Sequence, residues 1–221
     1  MKKIIIGLLV TGLTGAAWAA TTGELNDRIQ SLNQQFTTMQ QDPGTRIPAA
    51  DLAKAQGIVL LDQSKGGLLF AYHSGDGIAM VKNSSGHWSA PAFVSSTGAS
   101  FGVQAGGERD FYVILFMSPQ AAHALTQQKV NFGAEVGGTG GNANYNAQAN
   151  TVPAGSIKVY SAHHGVFGGA TVKGGTLSAD NKADAEYYGR SVSMNDVLFN
   201  GQVQPTPAED NLIGNLSQYA R

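Results

Sequence analysis

From Ile58 the apolar pattern shortens toward a period of two in a series of short strand-like runs, and glycines interrupt them without a fixed period. This pattern constrains the fold most, because a period of two sends successive side chains to opposite faces of a strand. Glycine accounts for 29 of the 221 residues, nearly double the roughly 7% of average proteins. Lacking a collagen-like repeat, it marks the turns, bulges and close backbone approaches of a sheet. Strands are predicted over 58–61, 67–73, 77–82, 87–94, 101–104, 111–117, 130–136, 157–162 and 166–177, with turns at Ser74-Gly75-Asp76-Gly77 and Asn83-Ser84-Ser85-Gly86. Residues 137–153, rich in Gly, Asn and Ala, read as a loop or irregular hairpin.

The period lengthens at both ends. Leu25, Ile29, Leu32, Phe36 and Met39 follow one another at spacings of 4, 3, 4 and 3, which makes a single apolar stripe on a helix over 21–41. Thr21 and Glu24 fit a capping box, and Asp42-Pro43-Gly44 stops the helix. A short helix after Pro48 carries Leu52 and Ala55 inward and ends at Gly57, and Ser118-Pro119 opens another to about residue 128. Helices are expected again over 181–188, from the Ser193 cap to Leu198, and from Thr206-Pro207 onward with Leu212, Ile213, Leu216 and Tyr219 facing inward. Helices flanking a run of strands predict an α+β single domain: a largely antiparallel glycine-rich β-sheet or partial barrel with N- and C-terminal helices.

The first twenty residues read as an export signal: Met1-Lys2-Lys3, an apolar run from Ile4, and small residues ending Ala17-Trp18-Ala19. The expected organisation is a signal peptide over 1–20 cleaved near Ala19 or Ala20, an amphipathic helix over 21–44, and a body over 45–221. Cleavage removes Lys2 and Lys3, lowering Lys plus Arg from 14 to 12 against 15 acids, so the formal charge moves from -1 to -3. Such a chain has no general attraction for nucleic acid or anionic lipid, and any such contact must come from a local patch. There is no cysteine, which excludes disulfides and a lipid-attachment thiol and leaves the hydrophobic core to hold the fold. A periplasmic or secreted protein, at most peripheral to the membrane, is expected.

No catalytic residue, metal site or cofactor is predicted. Gly98-Ala99-Ser100-Phe101-Gly102 matches the G-x-S-x-G pattern of serine hydrolases, with Asp110 or Asp180 and His163 or His164 as partners for Ser100. A nucleophile elbow needs a helix after the serine, and Gly102-Val103-Gln104-Ala105-Gly106-Gly107 is a poor helix start. His163 and His164 are adjacent on a strand and point to opposite faces, so they do not converge on one metal. Gly137-Gly138-Thr139-Gly140-Gly141 lacks the Lys-Ser/Thr of a phosphate loop. Asp180, Asp184, Glu186 and Asp196 suit helix starts better than paired acid–base catalysis.

Several blocks resemble the SYLF domain family, a lipid-binding module. They are Ile47-Pro48 with Leu52-Ala53-Lys54-Ala55-Gln56-Gly57-Ile58-Val59, Gly86-His87-Trp88-Ser89-Ala90-Pro91-Ala92-Phe93, and the glycine-spaced run from Thr97 to Gly106. Further blocks are Lys129-Val130-Asn131-Phe132-Gly133-Ala134, His164-Gly165-Val166-Phe167-Gly168-Gly169, Tyr187-Tyr188-Gly189 and Asp196-Val197-Leu198. They occur in the family's order from about residue 47 onward. The resemblance implies an α+β domain without known catalysis, associated with phosphoinositide membranes in eukaryotic members and with actin in fungal ones, while bacterial members are exported. An exported chain does not ordinarily meet actin. The resulting expectation is a non-enzymatic, envelope-associated protein that binds phospholipid or a membrane surface. Its candidate contacts are the stripe Leu25, Ile29, Leu32, Phe36 and Met39 and the bases Arg28, Arg46, Lys54 and Lys65. The alternative is a structural or protein-interaction module with an envelope protein as partner; a serine hydrolase at Ser100 is the remote one.

Overall fold

A computed structural model describes residues 20–67, 70–101, 106–127, 130–132, 141–142, 156–164 and 175–221. The expected signal segment lies outside them, as does most of 137–153. The first helix, α1 (Thr22–Gln41), starts where the sequence places it: the Thr21 hydroxyl accepts from the Glu24 N–H, and the Glu24 carboxylate accepts in return from Thr21. That backbone bond holds the Glu24 carboxyl below its usual range. α2 (Ala49–Lys54) follows, then β1 (Gly57–Gly67), β2 (Phe70–Val81), β3 (Ala92–Phe101) and β4 (Gly106–Phe116). The chain continues through α3 (Pro119–His123) with a 3-10 turn, β5 (Val130–Phe132), β6 (Gly141–Asn142), β7 (Ile157–His164) and β8 (Gly175–Ala179), then α4 (Asn181–Tyr187), α5 (Met194–Leu198) and α6 (Pro207–Tyr219).

The strands form one sheet in the order β5-β8-β3-β2-β1-β4-β7-β6, every pair antiparallel. It does not close into a barrel, so the sheet rather than the partial barrel is the outcome. Both faces of its centre are buried. Ile58, Leu60, Ile78, Met80, Phe93, Phe111, Val113 and Leu115 face α1, α2 and α6, whereas Val59, Leu61, Ala79, Val81, Val94, Ile114 and Phe116 face α3 and α5. Burial on two sides explains why 58–61 and 111–116 read as unbroken apolar runs instead of strict alternation.

One predicted turn is corrected. Ser74-Gly75-Asp76-Gly77 lies in the middle of β2, opposite 61–64 of β1 and 94–97 of β3. Its glycines serve close backbone approach: a Cβ on Gly77 would sit 2.3 Å from the Leu60 carbonyl oxygen, and one on Gly75 2.6 Å from that of Asp62. The strands predicted over 67–73 and 77–82 are therefore parts of one; β3 starts within the strand predicted over 87–94, and the one predicted over 101–104 lies outside the described residues except for Phe101, which ends β3. The second predicted turn stands. The Asn83 side chain accepts from the Ser85 and His87 amides, and Gly86 has φ 80.

Candidate functional site

The apolar stripe of α1 is packed against the domain. Leu25, Ile29 and Phe36 have no exposed surface, and Leu32 and Met39 have at most 2%. Phe36 meets Tyr219 of α6 edge to face at 5.8 Å, and Asn215 of α6 donates to Asn33 at 2.9 Å. Burying a large apolar side chain is worth about 1.5–3 kcal/mol, so five of them hold α1 down by on the order of 10 kcal/mol. A bilayer would have to offset that before the stripe became available.

The polar side of α1 is where a cleft opens. Along β1 the side chains facing the helix run Ile58, Leu60, Asp62, Ser64, and along β2 they run Met80, Ile78, Asp76, Ser74; the register sets Asp62 opposite Asp76. The sheet thus turns from apolar to charged on one face as its strands pass the middle of the helix. The cleft has a volume of about 240 Å³ and is lined by Arg28, Ser31 and Leu32 from α1, by Asp62 and Ser64, by Ser74 to Asp76, and by Arg109 of β4. Arg28 Nη1 lies 3.8 Å from Asp76 and Arg109 Nε 3.4 Å from Asp62. Gln35 donates to Asp62 at 3.2 Å, and the Arg28 guanidinium lies 5.7 Å from the centre of the Phe93 ring. Arg28 Nη1 and Asp62 Oδ1 are buried atoms without a hydrogen-bond partner.

Two further polar clusters tie elements together. The Asp51 carboxylate of α2 accepts from Lys158 at 2.6 Å and from the Tyr160 hydroxyl, both on β7. Burial pushes the Asp51 carboxyl up, but the two hydrogen bonds outweigh it and hold it below its usual range. In α4, Asp184 is fully buried and accepts from the Phe93 amide at 2.8 Å, while its other oxygen has no partner. Burial pushes its carboxyl up to about 7. Beside it, Tyr187 donates to Glu209 of α6 at 2.9 Å and lies 3.2 Å from Asn26 of α1. Burial raises the Tyr187 hydroxyl to about 12 and moves Glu209 upward as well.

The predicted contact residues do not form one patch. Arg28 lies in the cleft, whereas Arg46 is exposed beyond the far end of α1 and Lys54 is exposed at the end of α2. Roughly 20 Å of helix separates Arg28 from the end of α1. The side chain of Lys65 on β1 lies outside the described ones. Ser100 sits within β3, paired with Ala71 of β2; it is on no strand-to-helix elbow, which removes the geometry the hydrolase reading required. His163 and His164 pair with Asp110 and Arg109 along β7. Among the described residues no group of His, Asp and Glu is arranged to hold a metal, and no helix is long and apolar enough to cross a membrane. Sequence reasoning missed Asp62, Asp76 and Arg109. The signal was present, since carrying the alternation of β1 beyond Leu61 sets Asp62 and Ser64 on the same face as Leu60.

The chain is 28% identical to Protein YSC84 of Saccharomyces cerevisiae over 172 residues, covering 76% of this chain and 36% of that protein. It is 29% identical to SH3 domain-containing YSC84-like protein 1 of Rattus norvegicus over 184 residues, covering 80% and 54%. LAS seventeen-binding protein 3 of Saccharomyces cerevisiae is 27% identical over 171 residues, with 75% and 37% covered. The chain therefore spans about a third to a half of these relatives' length. One of the three is named a binding protein, and none is named as an enzyme. No solved structure matches the chain. The profile described as "Las17-binding protein actin regulator" matches residues 97–219, more than half of the sequence, and the chain belongs to this Ysc84, or SYLF-domain, family.

Proposed function

We propose that the chain is a non-enzymatic binding module that works outside the cytoplasm and engages the phospholipid surface of the cell envelope with α1 docked. The charged cleft left open beside docked α1 carries this reading. With Leu25, Ile29, Leu32, Phe36 and Met39 buried, the helix offers a surface its polar side, where Arg28 lines a cleft. Export rests on the basic, apolar and small-residue tripartite start of the sequence. The acidic mature chain supports a local contact over a broad electrostatic one. Fractionation of expressing cells, combined with cosedimentation of the purified mature protein with phosphatidylethanolamine–phosphatidylglycerol vesicles, tests both parts. A cytoplasmic full-length product sinks export, and a protein that ignores every such vesicle sinks bilayer binding.

A second reading is favoured by the relatives' names, which describe binding to a protein, Las17. In it the module holds an envelope protein, and neither lipid nor actin is its ligand. Recovery of one partner from envelope extracts without lipid enrichment supports that reading over the first.

A further inference from the structure

The charged cleft beside α1 is costly as it stands. Asp62 and Asp76 face each other directly across two paired strands, an arrangement that destabilises a sheet when the charges are alike. Each has its own arginine, but at 3.4 and 3.8 Å, well beyond the roughly 2.7–2.9 Å of a charge-assisted hydrogen bond. Arg28 Nη1 and Asp62 Oδ1 are left buried with no hydrogen-bond partner, which costs stability at each atom. Four charges thus surround one space without completing their bonds to one another. They sum to zero. A multivalent anion there meets two carboxylates, and a metal cation meets two guanidinium groups. A molecule with one charge of each sign meets a partner at both ends. The cleft, at about 240 Å³, is wide enough for a small molecule and not merely one water, and Ser31, Ser64 and Ser74 add hydroxyls at its rim.

We propose that this cleft binds a zwitterion of the phosphoethanolamine class, with its phosphate held by Arg28 and Arg109 and its primary ammonium between Asp62 and Asp76. The donors and acceptors match: a phosphate supplies acceptors for Arg28 Nη1, and an ammonium supplies a donor for Asp62 Oδ1. The same singly charged phosphodiester and ammonium are presented by a lipid headgroup and by free glycerophosphoethanolamine. This proposal deepens the lipid reading, yet it can fail separately from it.

The test titrates the mature protein with glycerophosphoethanolamine as the phosphoethanolamine probe, inorganic phosphate, ethanolamine, and glycerophosphocholine as the phosphocholine probe, followed by NMR shifts and calorimetry. Phosphoethanolamine is expected to bind about tenfold or more tighter than phosphate or ethanolamine, because linking two weak contacts makes the second intramolecular. Phosphocholine, whose quaternary ammonium donates no N–H bond, is expected to bind more weakly. Arg109→Gln and Asp62→Asn alter partly exposed side chains and should each weaken phosphoethanolamine about tenfold with circular dichroism unchanged. Equal binding of phosphate alone, insensitivity to both substitutions, or no binding of phosphoethanolamine overturns the proposal. Flotation with phosphatidylcholine vesicles, with and without phosphatidylethanolamine, then assigns the source. Capture only by the ethanolamine-containing vesicles, competed by free phosphoethanolamine, identifies a lipid headgroup. Binding of the free compound without vesicle capture keeps the subsite and rejects the bilayer.

Discussion

Asp62 and Asp76 stand opposite each other across the β1–β2 ladder, and each is held by an arginine from a different element, Arg109 of β4 and Arg28 of α1. The two arginines are not equal. The Arg28 side chain is 22% exposed and also lies over the Phe93 ring, whereas that of Arg109 is 69% exposed. Arg28→Ala should therefore cost about 1–2 kcal/mol through lost packing and an unbalanced pair of carboxylates. Arg109→Gln should stay within about 0.5 kcal/mol of the parent, as exposed ion pairs do. Urea denaturation of the two variants checks the ordering; an Arg109 variant less stable than the Arg28 one contradicts it.

Gly77 and Gly214 should answer the same substitution with opposite signs. A Cβ at Gly77 meets the Leu60 carbonyl oxygen at 2.3 Å, whereas none of the surrounding atoms comes within 4 Å of one at Gly214, on the exposed side of α6. Gly77→Ala must shift backbone and should destabilise by about 2 kcal/mol or more. Gly214→Ala should stabilise by about 0.5–1 kcal/mol through helix propensity and unfolded-state entropy. Thermal melts of both variants decide this.

Phe36 and Leu32 test whether the stripe is core in solution. Phe36→Ala should cost about 3–5 kcal/mol, and Leu32→Asp should unfold the domain or destabilise it comparably by burying an unpaired charge. Near-native stability for Leu32→Asp would show that α1 is not docked, and it would return the stripe to the list of membrane contacts.

Asp184 gives a pH dependence with a definite sign. Its folded carboxyl is pushed up to about 7 from an ordinary value of 3.8, so between these the folded chain binds the proton that the unfolded chain has released. Its contribution to stability is full below about pH 4, is lost as pH rises toward 7, and is constant above that. Glu209, also raised by burial, adds in the same direction. Asp184→Asn removes the first of these, so its stability relative to the parent should rise between pH 5 and pH 8, by on the order of a few kcal/mol at most. Guanidinium midpoints at the two pH values supply the check, and a difference independent of pH refutes it.

Most of the helical frame was legible in the sequence because its signals are local. The Thr21–Glu24 box, the Ser118, Ser193 and Thr206 caps and the Asn83–Gly86 turn each depend on residues within four positions, and each is found where the spacing places it. The antiparallel α+β class followed from the change of apolar period. What failed was Ser74-Gly75-Asp76-Gly77, because a glycine reads alike whether the chain reverses or another strand passes close by. Only pairing with β1 and β3 distinguishes the two.

The sequence alone thus determined where most of the described helices start, that strands lie between them, and which face of each helix is apolar. It marked Leu25 to Met39 as a stripe but left open what the stripe would cover. The tertiary structure decided that it covers the sheet, and that Asp62, Asp76 and Arg109, which lie as far as 47 positions apart in the sequence, meet Arg28 in one cleft. The reason is physical: helix caps and side-chain alternation act over a few residues, whereas strand order and register are set by the burial of two whole apolar faces at once.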